Sequence, residues 1–354
     1  MIIKRLSLEN FRNHKKTVLN FSKNITVLLG KNGAGKTSLL EAIFCFTILR
    51  PFRNFRKKVF IKDQEDFARA VVETNENKLE IFWQITPQEQ TVFKKNLAIL
   101  STSEFLREKN FFAVLFSPEN LTLPTAQPRE RRRFLSQILS LVNEQYFFYA
   151  LNFEKILKNR NRLLQKFALK KAKKEEFIFW DRELIKYSQF LTQKRAELID
   201  FLKQDLEKNF QKISANQDQL KIDFKPSSQN LNDDLAANFD RDVLLGSTSK
   251  GAHRDDFCFY LRNKPLGQIA SRGEMRSCIL ALKLTECAFL KAQSGKNPLL
   301  LFDDVFSELD QKHCQAFLKN LTNNQVIIST TEKELFFPKK NLQIIKVKNG
   351  STSS

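Results

Sequence analysis

The sequence predicts an α/β protein: a P-loop head on a mixed β-sheet, plus an inserted helical arm that forms a short antiparallel coiled-coil-like hairpin. Three observations predict it. Gly30-Lys31-Asn32-Gly33-Ala34-Gly35-Lys36-Thr37 is a complete G-x-x-x-x-G-K-[ST] phosphate loop, set between an apolar run suited to a buried strand and good helix sequence from Ser38. Leu299-Leu300-Leu301-Phe302-Asp303-Asp304 is a second buried strand, ending in two carboxylates. Between them, from Glu130 to about Ile213, the apolar period becomes helical and stays so. We assign the head to residues 1–118 with 243–349, the arm to 119–242 and a flexible tail to 350–354.

Composition bounds the partners. The chain has 354 residues, long enough for one large domain or about two, with 42% apolar residues and 34 Phe. It carries 59 Lys and Arg against 39 Asp and Glu, a formal charge of +20, which favours a polyanionic partner, nucleic acid before anionic membrane. AT-rich coding offers a bland alternative, because only 9 glycines accompany the many Lys, Asn and Phe. The N-terminus does not read as a secretion signal, and no apolar run is long enough to span a membrane. The five cysteines include no C-x-x-C pair, which fits reduced thiols in a cytoplasmic protein.

In chain order, residues 2–8, 17–21 and 25–29 predict a small antiparallel layer leading into the loop. Phe11-Arg12-Asn13-His14 joins the first two runs; an arginine there can meet nucleotide phosphate or stay solvated. After the loop helix, Arg50-Pro51-Phe52-Arg53-Asn54-Phe55-Arg56-Lys57-Lys58 interleaves cations with aromatics, fitting a DNA-backbone contact or a solvated basic loop. Runs 68–73 and 79–85 predict a hairpin, and Phe111 to Phe116 another strand.

In the arm, Tyr146, Tyr149, Phe153, Ile156, Arg160, Leu163 and Phe167 step by threes and fours, as do Trp180, Leu184, Tyr187, Leu191, Lys194, Leu198 and Phe201. Arg160 and Lys194 fall on the seam. Lys221 to Phe224 reads as a strand and 230–245 as a weak helix. Gly251-Ala252-His253-Arg254-Asp255-Asp256 has no apolar period, so both a structural and a ligand-binding role fit it.

The chemistry follows from residue types. Loop amides and the helix N-terminus attract phosphate, Lys36 reaches the terminal phosphates, and Thr37 can ligate Mg²⁺. A carboxylate at the end of a neighbouring strand can complete the metal shell, and a second can orient the attacking water. Ser271 can cap the helix that begins near Arg272 while Gly273 lets a ligand approach, making a second anion site.

These strings resemble the Walker A, signature, Walker B and D-loop of ABC-type ATPases, the last at Ser307-Glu308-Leu309-Asp310. Within that class the chain resembles the RecF family, related to Rad50 and SMC heads. Phe11-Arg12-Asn13, Arg50-Pro51-Phe52-Arg53, Phe116-Ser117-Pro118-Glu119-Asn120-Leu121, Arg131-Arg132-Arg133-Phe134-Leu135, Asn159-Arg160-Asn161-Arg162-Leu163-Leu164, the Gly251–Asp256 string and Ala281-Leu282-Lys283-Leu284 carry it, in family order and over nearly the whole chain.

The resemblance implies an ABC-type head and a cytoplasmic, ATP- and DNA-binding recombination mediator. Such a protein dimerises on ATP, binds duplex and gapped DNA near single-strand junctions, and works with RecR and, where present, RecO in gap repair, replication restart and the SOS response. It implies ATP and Mg²⁺ as cofactors, a weak DNA-stimulated ATPase acting as a switch, and no membrane partner. Lys36, Asp303 and Asp304 carry over as catalytic, and Gly30 to Thr37 with Arg12 and Asn13 as ATP-binding. Thr37 and Asp303 carry over as metal ligands, Ser271 and Gly273 as the signature acting in trans, and Ser307 and Asp310 as the D-loop. Arg50, Arg53, Arg56 and Lys57 are DNA-binding candidates. The chain departs from the transporter pattern with Ser271-Arg272-Gly273-Glu274-Met275 at the signature, Asp304 in place of the usual Glu, and Ser329-Thr330-Thr331 where a switch histidine stands. A transporter-type ATPase would leave the basic arm unexplained. A chromosome-structure protein of the SMC type would need far longer arms.

Overall fold

The run Ile25–Leu29 is buried at its three central positions and therefore needs cover on both faces. It finds that cover in a parallel sheet. The computed structural model describes residues 2–48, 57–108, 112–214, 217–305, 323–331, 342–348 and 350–353. Internal contacts divide the chain into two units, Met1–Leu121 with Glu286–Ser354, and Thr122–Thr285.

Elements are numbered along the chain. In the first unit, β1 (Ile3–Phe11), β2 (His14–Asn20), β4 (Phe67–Thr74), β5 (Lys78–Gln84), β6 (Gln90–Lys95) and β7 (Ala98–Leu100) form an antiparallel sheet in the order β2-β1-β4-β5-β6-β7. A second sheet runs β15-β14-β3-β13-β12-β8, where β3 is Ile25–Leu29, β8 is Ala113–Phe116 and β12 is Leu299–Asp303. Its other members are β13 (Val326–Thr330), β14 (Leu342–Lys348) and β15 (Ser351–Ser353). β14, β3, β13, β12 and β8 pair in parallel, and β15 is antiparallel to β14. Helix α1 (Lys36–Ile48) packs on β12 and β13 of one sheet and β1 of the other, so its buried residues run from Leu39 through Thr47 around most of its circumference. Helix α2 (Thr102–Glu108) packs on β6 and β7.

Two expectations change here. β3 does not join the antiparallel layer of β1 and β2, whose burial alternates between faces; fully buried runs go to the parallel sheet instead. The tail expected to be flexible contributes β15, whose Lys346↔Ser353 to Lys348↔Ser351 register closes the edge of the parallel sheet. Gln325 joins the unit's two sheets: its side chain accepts from Ile3 N and donates to Ile3 O and Ser22 O, all at 2.8 Å.

The second unit contains α3 (Pro128–Val142), α4 (Glu144–Ala168), α5 (Phe177–Ser214), β9 (Leu220–Lys225), α6 (Leu231–Ala237) and α7 (Phe239–Leu245). β10 (Asp256–Leu261), β11 (Lys264–Pro265), α8 (Leu266–Ile269) and α9 (Arg272–Ser294) follow, the unit boundary falling within α9. The sequence reading returns the chain to the head at 243, whereas contacts return it at Glu286, because β10 pairs with β9 along its whole length. Asn143 caps α4, its side chain accepting from Tyr146 N at 2.8 Å.

α4 and α5 pack as a hairpin, and α5 at 38 residues outruns the stripe read from sequence. Its extension buries Leu206, Phe210 and Ile213, and α5 packs on β9. The buried charge on the α5 seam is Arg195; Lys194 turns outward to Glu197 at 2.7 Å. Arg160 is fully buried and ties α4 to Asp181 on α5 (2.6 Å), Asp242 on α7 (2.9 Å) and the Thr248 hydroxyl (2.8 Å), which pins the register.

The Gly251–Asp256 string is a polar junction within this unit. Asp255 accepts from Arg195, the Thr192 hydroxyl and Ser227 N, while Asp256 takes a bidentate pair from Arg131 at 2.7 and 2.6 Å. His253 Nε2 meets Thr248 O at 2.8 Å. Among the described residues no helix is long and apolar enough to cross a membrane.

Candidate nucleotide site

β3 ends at Leu29, and the chain turns through Gly30–Gly35 into α1. Gly33 (φ 78°) and Gly35 (φ 107°) hold left-handed backbone that side chains disfavour, and a Cβ on Gly35 would sit 2.6 Å from His14 Nε2. A cleft of about 660 Å³ opens over this loop. Asn32 to Ser38 line it together with Arg12, Asn13, Asp304 and Ser329. Gly30 and Lys31 lie off the cleft lining and offer their carbonyls to Lys36 Nζ at 2.7 and 3.1 Å. Burial lowers the Lys36 pKa, and the charges of Asp304 and Asp303 oppose that shift.

Asp303 ends β12, but β13 lies between β12 and β3, so the carboxylate strand is not the direct neighbour of the loop strand. The gap is closed from above by α1. Thr37 Oγ1 donates to Asp303 Oδ1 at 2.7 Å, and Ser329 Oγ on β13 donates to the same oxygen at 2.8 Å. Asp304 takes φ 54° and donates its N–H to Ser329 O and Oγ, both at 3.1 Å; left-handed backbone at a non-glycine residue is a form of strain that collects at functional sites. The Thr37 hydroxyl and Asp303 carboxylate are hard oxygen donors side by side, the type of set that suits Mg²⁺.

Arg12 is half-buried and is not aimed only at the cleft. Its guanidinium forms a fork on Glu41 of α1, Nε to Oε2 and Nη2 to Oε1, both at 2.9 Å. The β1–β2 turn is thereby held against the loop helix. Sequence reasoning missed the far wall, where Val59, Ile61, Lys62 and Asp63 line the cleft without any local motif. It also missed His14, which touches Gly35 O at 3.1 Å, and Gly350, whose N–H donates to Ala34 O at 3.0 Å.

In the second unit, Ser271 Oγ accepts from Glu274 N at 3.2 Å while Ser271 N donates to Glu274 Oε2 at 2.6 Å, a capping box opening α9. Arg262 holds Glu274 at 3.0 Å, and Gly273 is partly open to solvent. Lys57 opens a short 3₁₀ turn, Lys57–Phe60. Arg50, Arg53, Arg56, Ser307 and Asp310 lie outside the described residues.

Comparisons with known proteins bear on this arrangement. The family model described as RecF/RecN/SMC N terminal domain matches residues 2–353. Relatives called DNA replication and repair protein RecF, from Natranaerobius thermophilus and Agathobacter rectalis, are both 32% identical; they match 99% and 98% of this chain over 97% and 96% of their own. A solved structure described as the recombination mediator protein RecF-ATPrS in RecFOR pathway superposes with a TM-score of 0.89 at 29% identity, covering 99% of this chain and 97% of that one. An SMC head bound to the C-winged helix domain of ScpA shares the fold at a TM-score of 0.57 and 16% identity, over 100% and 97% of the two chains. The chain therefore belongs to the RecF/RecN/SMC N-terminal domain family and, within it, to the RecF group of DNA replication and repair proteins.

Proposed function

We propose that this protein is an ATP-dependent, DNA-binding recombination mediator whose slow ATP turnover acts as a switch. The observation that carries the reading is the Thr37–Asp303 contact at 2.7 Å beneath an open phosphate loop, in a chain whose relatives include structures described as RecF-ATPrS and RecF-ATP. Lys36 would leave the carbonyls of Gly30 and Lys31 for the terminal phosphates, a change of partners between neutral and charged acceptors. Thr37 and Asp303 would hold Mg²⁺, which neutralises charge on the phosphates when bound. Asp304 would orient the attacking water; one methylene shorter than Glu, it favours slow hydrolysis. Arg12 and Asn13 would border the nucleotide.

Ser271 and Gly273 of one protomer would meet the phosphate held by its partner, so that ATP closes a homodimer. The formal charge of +20 then supplies attraction for duplex and gapped DNA near single-strand junctions, with Arg50, Arg53, Arg56 and Lys57 as contacts. RecR, and RecO where present, would be the protein partners in gap repair, replication restart and the SOS response, in the cytoplasm.

Fluorescence anisotropy of a gapped duplex, titrated with and without ATP beside Ser271→Arg, tests the reading. We expect ATP to tighten wild-type binding and the variant to lose that gain while still binding nucleotide. Equal binding in all four titrations would sink the ATP-gated mechanism.

A further inference from the structure

His14 is wholly buried, yet both of its ring nitrogens face oxygen atoms. Nε2 lies 3.1 Å from Gly35 O in the phosphate loop, and Nδ1 lies 3.0 Å from both Gly350 O and Thr17 Oγ1. The Thr17 hydroxyl lies 2.8 Å from Gly350 O and 3.0 Å from Nδ1 and has one proton to give to these two acceptors. Burial holds the His14 pKa below its ordinary value, against the pull of the two carbonyls, and a neutral ring carries one proton. With the Thr17 hydroxyl turned to Nδ1, that proton sits on Nε2, facing Gly35 O.

Gly350 completes a closed circuit. Its N–H donates to Ala34 O at 3.0 Å while its C=O faces Thr17 and His14. Both chain segments approach without room for a side chain: Gly35 against His14 Nε2, and Gly350, at φ 74°, against the Asn13 carbonyl. The carbonyls of Ala34 and Gly35 are thus both held from behind, Gly35 O also receiving the first helical bond from Leu39 N at 3.2 Å. In a trans peptide the C=O and the following N–H point in opposite directions. Fixing those two carbonyls therefore turns the N–H groups of Gly35 and Lys36 the other way.

We propose that His14 is a positioning residue for the phosphate loop, aiming the Gly35 and Lys36 amides at bound phosphate, with Thr17 and the C-terminal Gly350 holding the ring in place. The proposal rests on the nucleotide reading above and adds to it a dependence of nucleotide affinity on the C-terminal hairpin. It needs no contact between His14 and nucleotide.

The experiment is a titration of the full-length protein with a fluorescent ATP analogue and Mg²⁺, with unfolding midpoints measured alongside. His14→Phe keeps ring shape without the donor and should weaken binding about five- to tenfold, the loss of one net hydrogen bond. His14→Gln can place an amide N–H near the Nε2 position and should recover to within about twofold. Gly350→Val should weaken binding to a similar degree and add little to His14→Phe, since both break one circuit. Thr17→Val, a milder change, gives the same readout if His14→Phe does not fold. Unchanged affinity in folded His14→Phe or Thr17→Val overturns the proposal, as does a His14→Gln as weak as His14→Phe, or full additivity with Gly350→Val. Lys36→Ala separates the two levels. If wild type binds no nucleotide, the nucleotide reading fails and takes this one with it; if wild type binds, Lys36→Ala does not, and His14→Phe equals wild type, only the positioning role falls.

Discussion

Arg195 in the arm and Lys36 in the head are equally buried, each 6% exposed, but they end on different partners. Arg195 donates to one backbone carbonyl, Ala252 O, at 2.5 Å, but it also reaches Asp255 at 3.1 Å, Tyr146 Oη at 3.0 Å and Ser136 Oγ at 3.4 Å, and Asp255 has further donors in Thr192 and Ser227. Lys36 gives its ammonium to two neutral carbonyls of its own loop. A buried cation paired with a carboxylate and filled out by hydroxyls is finished structure; a buried cation resting on backbone oxygens can exchange them for a better anion. The difference explains why the second unit's charged string, Gly251 to Asp256, serves the fold, while the phosphate loop faces an open cleft.

Removing Arg195 gives the largest expected effect and could break the comparison outright. Arg195→Ala strands Asp255 in a buried position and should lower unfolding stability by about 3–5 kcal/mol, measured by urea unfolding of the full-length protein. A loss below about 1 kcal/mol would mean that the junction is not structural.

Acid sharpens the same contrast at smaller scale. Burial, with Arg254 and Arg132 nearby, holds the His253 pKa at about 4, below the ordinary 6.5, and Thr248 O only partly offsets this. As pH falls below 6.5 the unfolded chain takes a proton that the folded chain refuses. Stability is therefore complete above 6.5 and lost as pH falls toward 4. Between pH 7.5 and 5 the loss from this residue should be about 2 kcal/mol. His253→Gln should flatten that part of the unfolding profile; an unchanged slope would show that the imidazole is not held neutral.

Local strings were the legible part of this molecule. The phosphate loop, the strand ending at Asp303-Asp304 and the Ser271 cap each announce themselves within a few residues, because turn, strand and cap chemistry are short-range. What escaped was long-range. Nothing near residues 59–63 marks them as a cleft wall, and nothing at 350 shows that its backbone touches Ala34. The layer assigned to β3 failed because three strands adjacent in sequence were read as adjacent in space, while its fully buried centre already favoured a parallel sheet. The seam charge was read one residue early, at Lys194. Both stripes alternate steps of three and four, but after Leu184 the expected one steps three to Tyr187 while the buried one steps four to Ser188, and the same difference after Leu191 puts Arg195 rather than Lys194 inside. The Asp303 carboxylate was legible as a strand end, but its link to Thr37 over an intervening β13 was not.

The central claim is that Lys36 is held for a ligand and Arg195 for the fold. Calorimetric titration of Lys36→Ala with Mg²⁺ and ATP, paired with its urea unfolding curve, tests it most directly. Nucleotide affinity should fall by about a hundredfold or more while the unfolding midpoint stays at or above that of wild type, since the buried ammonium gives its hydrogen bonds to the backbone carbonyls of Gly30 and Lys31. Retained affinity, or a stability loss of the size expected for Arg195→Ala, would contradict it.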